Sequence, residues 1–434
     1  MAIIGGGVVG SALLYILSNY TSVKKIALIE KRGAVASMNS NSMSNSQTLH
    51  FGDVETNYTE KKAIETKNAA KLMLRYIKKH KDAQNAVKRC QKLLLAIGQD
   101  EIDYADVWFS SAKHIYKGLK QISSGEIDRL EPNILRHRDP FEKVSAYVSD
   151  TGYMVDFGKI ADSFVNNSKS KSKKVKVILN ARLDSVRDDD GGYMLYFGER
   201  RIKCRSAVFC AGAYGLYFAR SLGMAGNLSV IPTGGAFFTS RKVLNGKVYR
   251  VQTGKIPFAA VHGDPDINNE HKTRFGPVIY LPLGLERDEL QISDYARAAG
   301  FGPDFISAEV DILLKYKLTG MMLKHLSYQI PIVGKELFLN NEARKIVPSL
   351  KYEDLSLEPQ YGGISPRVID LHDKTLSIGE GKIIKDNLIF NLSPSPGASS
   401  CLSIAKSDAE HISKAVGEKF YSEKFNSDFR IGAD

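Results

Sequence analysis

Apolar positions open the chain at Ala2–Ile4, stop at a run of glycines, recur at helical period through SALLYILSNY (11–20), and close up again in KKIALIE (24–30). That pattern predicts a short buried strand, a helix and a second buried strand, a βαβ unit. A polar stretch, NSNSMSNSQTLHFGDVETNY (39–58), interrupts it. Amphipathic helices with lysine on one face are expected at about Glu60–His80 and Ala105–Ile122. A turn and a further helix follow in YVSDTGYMVDFGKIADSFV (147–165), and residues 174–212 read as strands broken by the hairpin signal DDDGG. Residues near 229–285 look strand-rich and those near 303–350 mainly helical. The tail returns to short strands in YGGISPRVID, TLSIGEG and NLIFNLSPSPG, then to a last helix from about Ala398.

A nucleotide-type unit that the chain leaves and re-enters implies two interleaved domains. The expected fold class is α/β with α+β character: a Rossmann-like dinucleotide-binding domain interleaved with a substrate domain built on an antiparallel sheet. The first is expected at 1–80, 150–225 and 355–434, the second at 81–149 and 226–354. At 434 residues the chain is long enough for both.

Composition narrows the function. With 43% hydrophobic and 25% charged residues the chain is of ordinary globular type. Its net charge of +12 favours acidic partners: phosphates, carboxylate substrates or an anionic membrane surface. Nucleic acid is not expected, because the positive charge is scattered. The densest run, KSKSKK (169–174), reads as a solvated loop. Four cysteines without C-x-x-C spacing exclude a disulfide scaffold and point to a reducing compartment. No His/Cys cluster has metal-ligand spacing, so no metal is expected. No run of about 18 apolar residues exists to span a membrane. The start lacks the charged region of a signal peptide. The segment ahead of the glycines is short for a buried strand, which leaves open whether residues, and a targeting segment with them, precede it.

Gly5, Gly7 and Gly10 form G-x-G-x-x-G between the first strand and its helix. The first glycine allows the tight turn, the second lets backbone approach a pyrophosphate, and the third allows close helix–strand contact. The helix N-terminus then offers N–H groups to phosphate. Glu30 ends the second strand, where its carboxylate can accept from ribose hydroxyls and would repel a 2′-phosphate. FAD or NAD is therefore expected, not NADP. Two more strands end in small residues, at Ala211–Gly212 and across Ser393–Gly397, which suits FAD, a long dinucleotide held along its length. The helix after Gly397, with Ala398 and Ser399, can aim its N-terminus at a flavin. Val9, Lys31 and Leu183 complete this set of candidate contacts.

NSQTLHFGDVETNYT, SPSPGAS, and FAAVHGDPD followed by RFGPVIYLPLG closely resemble the FAD-dependent malate:quinone oxidoreductases, within the FAD enzymes of the D-amino-acid-oxidase superfamily. The likeness covers nearly the whole chain and is most specific at 3–58 and 389–402. It implies oxidation of (S)-malate to oxaloacetate, a tricarboxylic acid cycle reaction, with electrons passed to a membrane quinone. It also implies a peripheral membrane protein, on the cytoplasmic face of a bacterial inner membrane or on the mitochondrial inner membrane. Ser46, Gln47 and Thr48 are then candidate FAD contacts. His262, with Asp264 nearby, is the first candidate for catalytic base, and His50 the second, placed where it could instead contact the ring. Arg367, Arg274 and Tyr361 are candidates to hold the malate dianion. Asp53 and Glu55 would repel malate and are expected to face structural partners. Ile312–Ile330 and the lysine-bearing C-terminal helix near His411–Phe425 are equal candidates for a membrane interface, although packing on the core is the plainer expectation for Ile312–Ile330. The rival readings are an L-2-hydroxyglutarate dehydrogenase or oxidase, a non-catalytic FAD-stabilised binding protein, and an NAD-linked enzyme.

Overall fold

The structure is a computed structural model that describes residues 1–168, 173–253, 260–316, 318–376, 381–392 and 396–431. Two large sheets divide these residues. In the first, six strands run in the order Lys382–Lys385, Leu388–Asn391, Ala207–Phe209, Ala2–Ile4, Lys25–Ile29, Lys174–Ile178, parallel except for the outermost antiparallel pair at Lys382–Lys385. Three residues suffice for the central strand Ala2–Ile4 because it is buried on both faces. Alternation assigns its side chains: Ile3, Val208, Leu28 and Ile389 enter one core, and Ile4, Phe209, Ile29 and Phe390 the other. Burial of each large apolar side chain is worth roughly 1.5–3 kcal/mol. On the first side, the helix Val8–Tyr20 packs against Phe157–Asn166 and Cys401–Ala415.

The second sheet has nine strands, in the order Thr375–Leu376, Ser356–Asp370, Leu228–Arg241, Lys272–Tyr280, His262–Pro265, Lys247–Arg250, Lys92–Ile97, Val144–Ser149, Lys120–Ile122. Its pairs are antiparallel except Lys247–Arg250 with Lys92–Ile97. The residues at 339–350 and Phe338 cover it with a separate core.

Three boundaries differ from the sequence expectation. Residues 356–376 join the second sheet, because Ser356–Asp370 pairs along almost its whole length with Leu228–Arg241. The first domain therefore re-enters only near Lys382. The helix expected at Ala105–Ile122 runs Gln99–Ile115, and Lys120–Ile122 is a strand. Gly118 separates them where a Cβ would meet the Asp150 carboxyl carbon at 2.1 Å. The last long helix starts at Cys401, with turns at 396–400 ahead of it. The run Ile312–Ile330 is divided between two helices, Pro303–Lys315 and Leu318–Ser327. Most of the KSKSKK cluster, and Ser393, lie outside the described residues.

Candidate active site

One cavity of about 1100 Å³ runs from the C-terminal ends of the parallel strands to the second sheet. At the parallel end it is built on glycine. Gly5 adopts φ +102°, and a Cβ there would stand 2.4 Å from the Cys210 carbonyl oxygen. Gly7 is the N-cap of the helix Val8–Tyr20 and supplies no capping side chain. A Cβ on Gly7 would meet only Ser40 Oγ, at 3.3 Å, so backbone here faces open space. Gly10 lies outside the lining and does packing work: its Cβ would fall 2.0 Å from the Gly5 carbonyl oxygen. Val9, Glu30, Lys31, Leu183, Ala211 and Gly212 also line this end. The Glu30 carboxylate accepts from Gly6 N at 2.6 Å and Arg32 N at 2.9 Å, which fixes it at the strand end. A helix terminus whose N-cap is glycine, an approach nearly free of side chains and a fixed acid fit the pyrophosphate and ribose of a dinucleotide.

The loop 281–291 crosses the Glu30 end. Lys31 Nζ lies 2.5 Å from Glu286, Arg32 Nη2 lies 2.9 Å from Glu289, and Arg287 Nη1 donates to the carbonyls of Gln360 and Gly362. Leu285 and Glu286 of this loop face the cavity.

The polar stretch 39–58 forms the floor and is tied to every element it crosses. Asn39 exchanges two hydrogen bonds with the backbone of Ile364, at 2.6 and 3.0 Å. Ser40 Oγ accepts from Val8 N at 2.9 Å. Thr48 Oγ1 lies 2.7 Å from the Tyr249 hydroxyl, and His50 N donates to Ser399 Oγ at 2.9 Å. Ser46, Thr48 and His50 line the cavity, with Gly397, Ala398 and Ser399 across from them.

Gln47 departs from expectation. It is fully buried outside the lining, donating to Ser42 O at 3.0 Å and accepting from Ile267 N at 2.8 Å. It joins two loops and has no amide left for FAD.

Two histidine–carboxylate pairs meet at the far end. His50 Nδ1–H donates to Glu55 Oε1 at 2.5 Å, leaving Nε2 on the cavity side, 3.4 Å from Ser46 Oγ. Burial alone would raise the Glu55 carboxyl, but His50, with help from Lys92, draws it down to about 2. Asp53 takes the structural role expected of both acids, buried against Lys92 Nζ at 2.5 Å with Ser149 and Thr151. Glu55 instead lines the cavity.

His262 lies in the same wall, its ring stacked on Tyr249 with centroids 4.7 Å apart. Its Nδ1–H donates to Ala260 O at 3.1 Å, and Nε2 stands 3.1 Å from Asp264 Oδ2, close but off line for a hydrogen bond. Asp264 is fully buried. Burial would raise its carboxyl, but Lys247 (Nζ to Oδ1 3.0 Å), His262 and Arg274 hold it below the usual range.

Among the candidate anion-binding residues, Arg367 lines the cavity. Burial lowers its guanidinium to about 10, which still leaves a cation at neutral pH. Tyr58, whose phenol burial pushes well up, shares this region of the wall. Arg274 is not a clamp in this structure. It is completely buried, donates to Asn45 O at 3.0 Å, stacks on Phe237 and Tyr361, and sits 3.6 Å from Asp266. Tyr361 is likewise buried outside the lining. Both lie behind the cavity surface because the strands carrying them turn those positions toward buried charge. Glu55, Tyr58 and Tyr249 are among the lining residues that sequence reasoning passed over as site residues. The only signal for Glu55 was its spacing five residues after a candidate histidine. Tyr249 had none.

The chain matches the family model of DAO, FAD-dependent oxidoreductase, over residues 1–410. Its fold is that of dithionite-reduced L-alpha-glycerophosphate oxidase from Mycoplasma pneumoniae with FAD bound, at TM-score 0.67 and 19% identity, over 95% of this chain and 94% of that one. The cavity thus belongs to an FAD-dependent oxidoreductase, and FAD is its cofactor. The chain is 34% identical to a probable malate:quinone oxidoreductase of Campylobacter jejuni over 98% of each. It is 24% identical to the mitochondrial L-2-hydroxyglutarate dehydrogenase of Bos taurus, over 95% of this chain and 88% of that one. Within the FAD-dependent class, the chain belongs to the malate:quinone oxidoreductase family. Among the described residues, no helix is long and apolar enough to cross a membrane.

Proposed function

We propose that this chain oxidises (S)-malate to oxaloacetate and passes the electrons to a membrane quinone. The observation that supports this reading is that the His50–Glu55 pair and Arg367 line one cavity, with Glu55 and Arg367 both acting electrostatically on Tyr58. FAD held by the Gly5–Gly7 turn, the N-terminus of Val8–Tyr20 and Glu30 would supply the acceptor for the C2 hydride of malate. His50 Nε2 takes the hydroxyl proton, and the Glu55 carboxylate stabilises the imidazolium that results. Arg367 holds one substrate carboxylate. His262 is assigned to positioning the substrate: its Nδ1–H is held by Ala260 O, and a carboxylate oxygen of Asp264 crowds Nε2, the nitrogen that would have to accept. The expected base thus moves from His262 to His50. The Tyr249 phenol, raised by burial, remains a neutral spacer between the two rings.

L-2-hydroxyglutarate is the second candidate substrate, on the strength of the more distant relative that acts on it. It has the same 2-hydroxy acid group and one more methylene. Comparing kcat/KM for the two acids with a quinone analogue separates the readings. Malate is expected to win; a higher value for 2-hydroxyglutarate reassigns the enzyme.

A further inference from the structure

More than half of the large apolar side chains exposed among the described residues fall between Leu281 and Val333. Within that stretch the helix Pro303–Lys315 is apolar on two sides. Phe305, Ala308 and Ile312 enter a core, while Ile306, Val310 and Leu314, each four residues from the next, form a stripe on the other side. Asp304, Ser307, Glu309 and Asp311 lie between the two stripes, so the outer one is a second, separate apolar face. The neighbouring helix Leu318–Ser327, which packs on it, exposes Leu323 and Leu326, and the turn beyond exposes Ile330, Ile332 and Val333. Contiguous apolar surface of this kind marks an interaction site.

Charge selects the partner. The helix Pro303–Lys315 carries Asp304, Glu309 and Asp311, the last held by Lys374 at 2.5 Å, and from Ile312 to Lys335 the sequence carries Lys315, Lys317, Lys324 and Lys335 and no acidic residue. Lys324 reaches back to Glu342 at 2.6 Å, and Lys335 lies over the Tyr352 ring. A second copy docked by a two-fold axis would set these lysines against their own counterparts. An anionic lipid surface accepts both the apolar stripe and the lysines, whose stems can lie along the interface with their ammonium groups at the headgroups.

We infer that the helices Pro303–Lys315 and Leu318–Ser327, with the turn after them, dock this chain on an anionic bilayer. The inference rests on the quinone reading for its purpose. The helix Leu318–Ser327 packs directly on the strand Lys272–Tyr280, and His325 Nδ1 accepts from Ile279 N at 3.2 Å. Ile279 and Pro277 of that strand line the FAD cavity. Docking here sets the bilayer beside the strand that forms part of the cavity wall.

The test is co-sedimentation of the holoprotein with vesicles of phosphatidylcholine alone or mixed with phosphatidylglycerol. Wild type is expected to sediment with the mixed vesicles. Leu314→Asp combined with Leu323→Asp should weaken that binding about tenfold or more, and Lys315→Glu less. Malate turnover with a water-soluble dye should be unchanged in each variant, which shows that they fold. Wild-type binding retained by the double variant, or equal binding to neutral and anionic vesicles, overturns the inference. So does a wild-type dimer that the double variant dissolves without loss of vesicle binding. If wild type fails to turn over malate at all, the function falls while the sedimentation result still decides the docking face.

Discussion

The two histidines of the cavity differ in what their second nitrogen is left to do. His50 commits Nδ1 to Glu55, and its Nε2 faces the cavity with only a distant serine hydroxyl beside it. His262 has a carbonyl at one nitrogen and a buried, lysine-paired carboxylate at the other. Both sit beside Tyr249, and both belong to a His–carboxylate pair. The difference is that a ring able to accept a substrate proton needs one nitrogen open to the cavity, whereas a nitrogen crowded by a carboxylate oxygen is poorly placed to meet one. Proximity to a carboxylate is thus not enough to identify a base.

Removing the ring tests the contrast most strongly. His50→Ala should lower kcat by about 10²–10⁴-fold while FAD content, read from flavin absorbance, stays at the wild-type level. Glu55→Gln keeps the shape but loses the charge that supports the imidazolium, and kcat should fall by about 10²-fold. The same variant alters acid stability. The Glu55 carboxyl is depressed from an ordinary 4.5 to about 2 in the folded chain. The stability it contributes is therefore complete above 4.5 and lost as the pH falls toward about 2. Melting temperatures across that interval should decline less steeply in Glu55→Gln than in wild type. His262→Ala should act mainly on KM, raising it by about tenfold with a smaller change in kcat. Arg274→Met sharpens the contrast from outside the cavity. It should leave KM within about twofold of wild type and lower thermal stability, because it strips a buried partner from Asp264 and Asp266. A KM rise as large as that of His262→Ala would return Arg274 to the substrate site.

The nucleotide half was legible because its requirements are local. Gly5, Gly7 and Glu30 stand at fixed offsets on one strand–helix–strand unit, and backbone geometry alone dictates them. The division near residue 355 was not legible. Ser356–Asp370 belongs to the second sheet through pairing with Leu228–Arg241, more than a hundred residues away, and no local pattern encodes that partner. Arg274 and Tyr361 misled for a related reason. Strand alternation gives two faces but does not say which one borders the cavity, and both side chains face buried charge. Glu55 was hidden by irregularity: within the loop 51–58 spacing does not set direction, so two acids two residues apart diverge. Asp53 turns to Lys92 and Glu55 to His50.

The most direct test of the central claim is chemical rescue. Imidazole added to His50→Ala should restore malate turnover in proportion to its neutral fraction, because a diffusible base then fills the place of the missing Nε2. It should not rescue His262→Ala, where the lost ring positions the substrate and does not accept its proton. Rescue of His262→Ala, with none for His50→Ala, would contradict the account and make His262 the base.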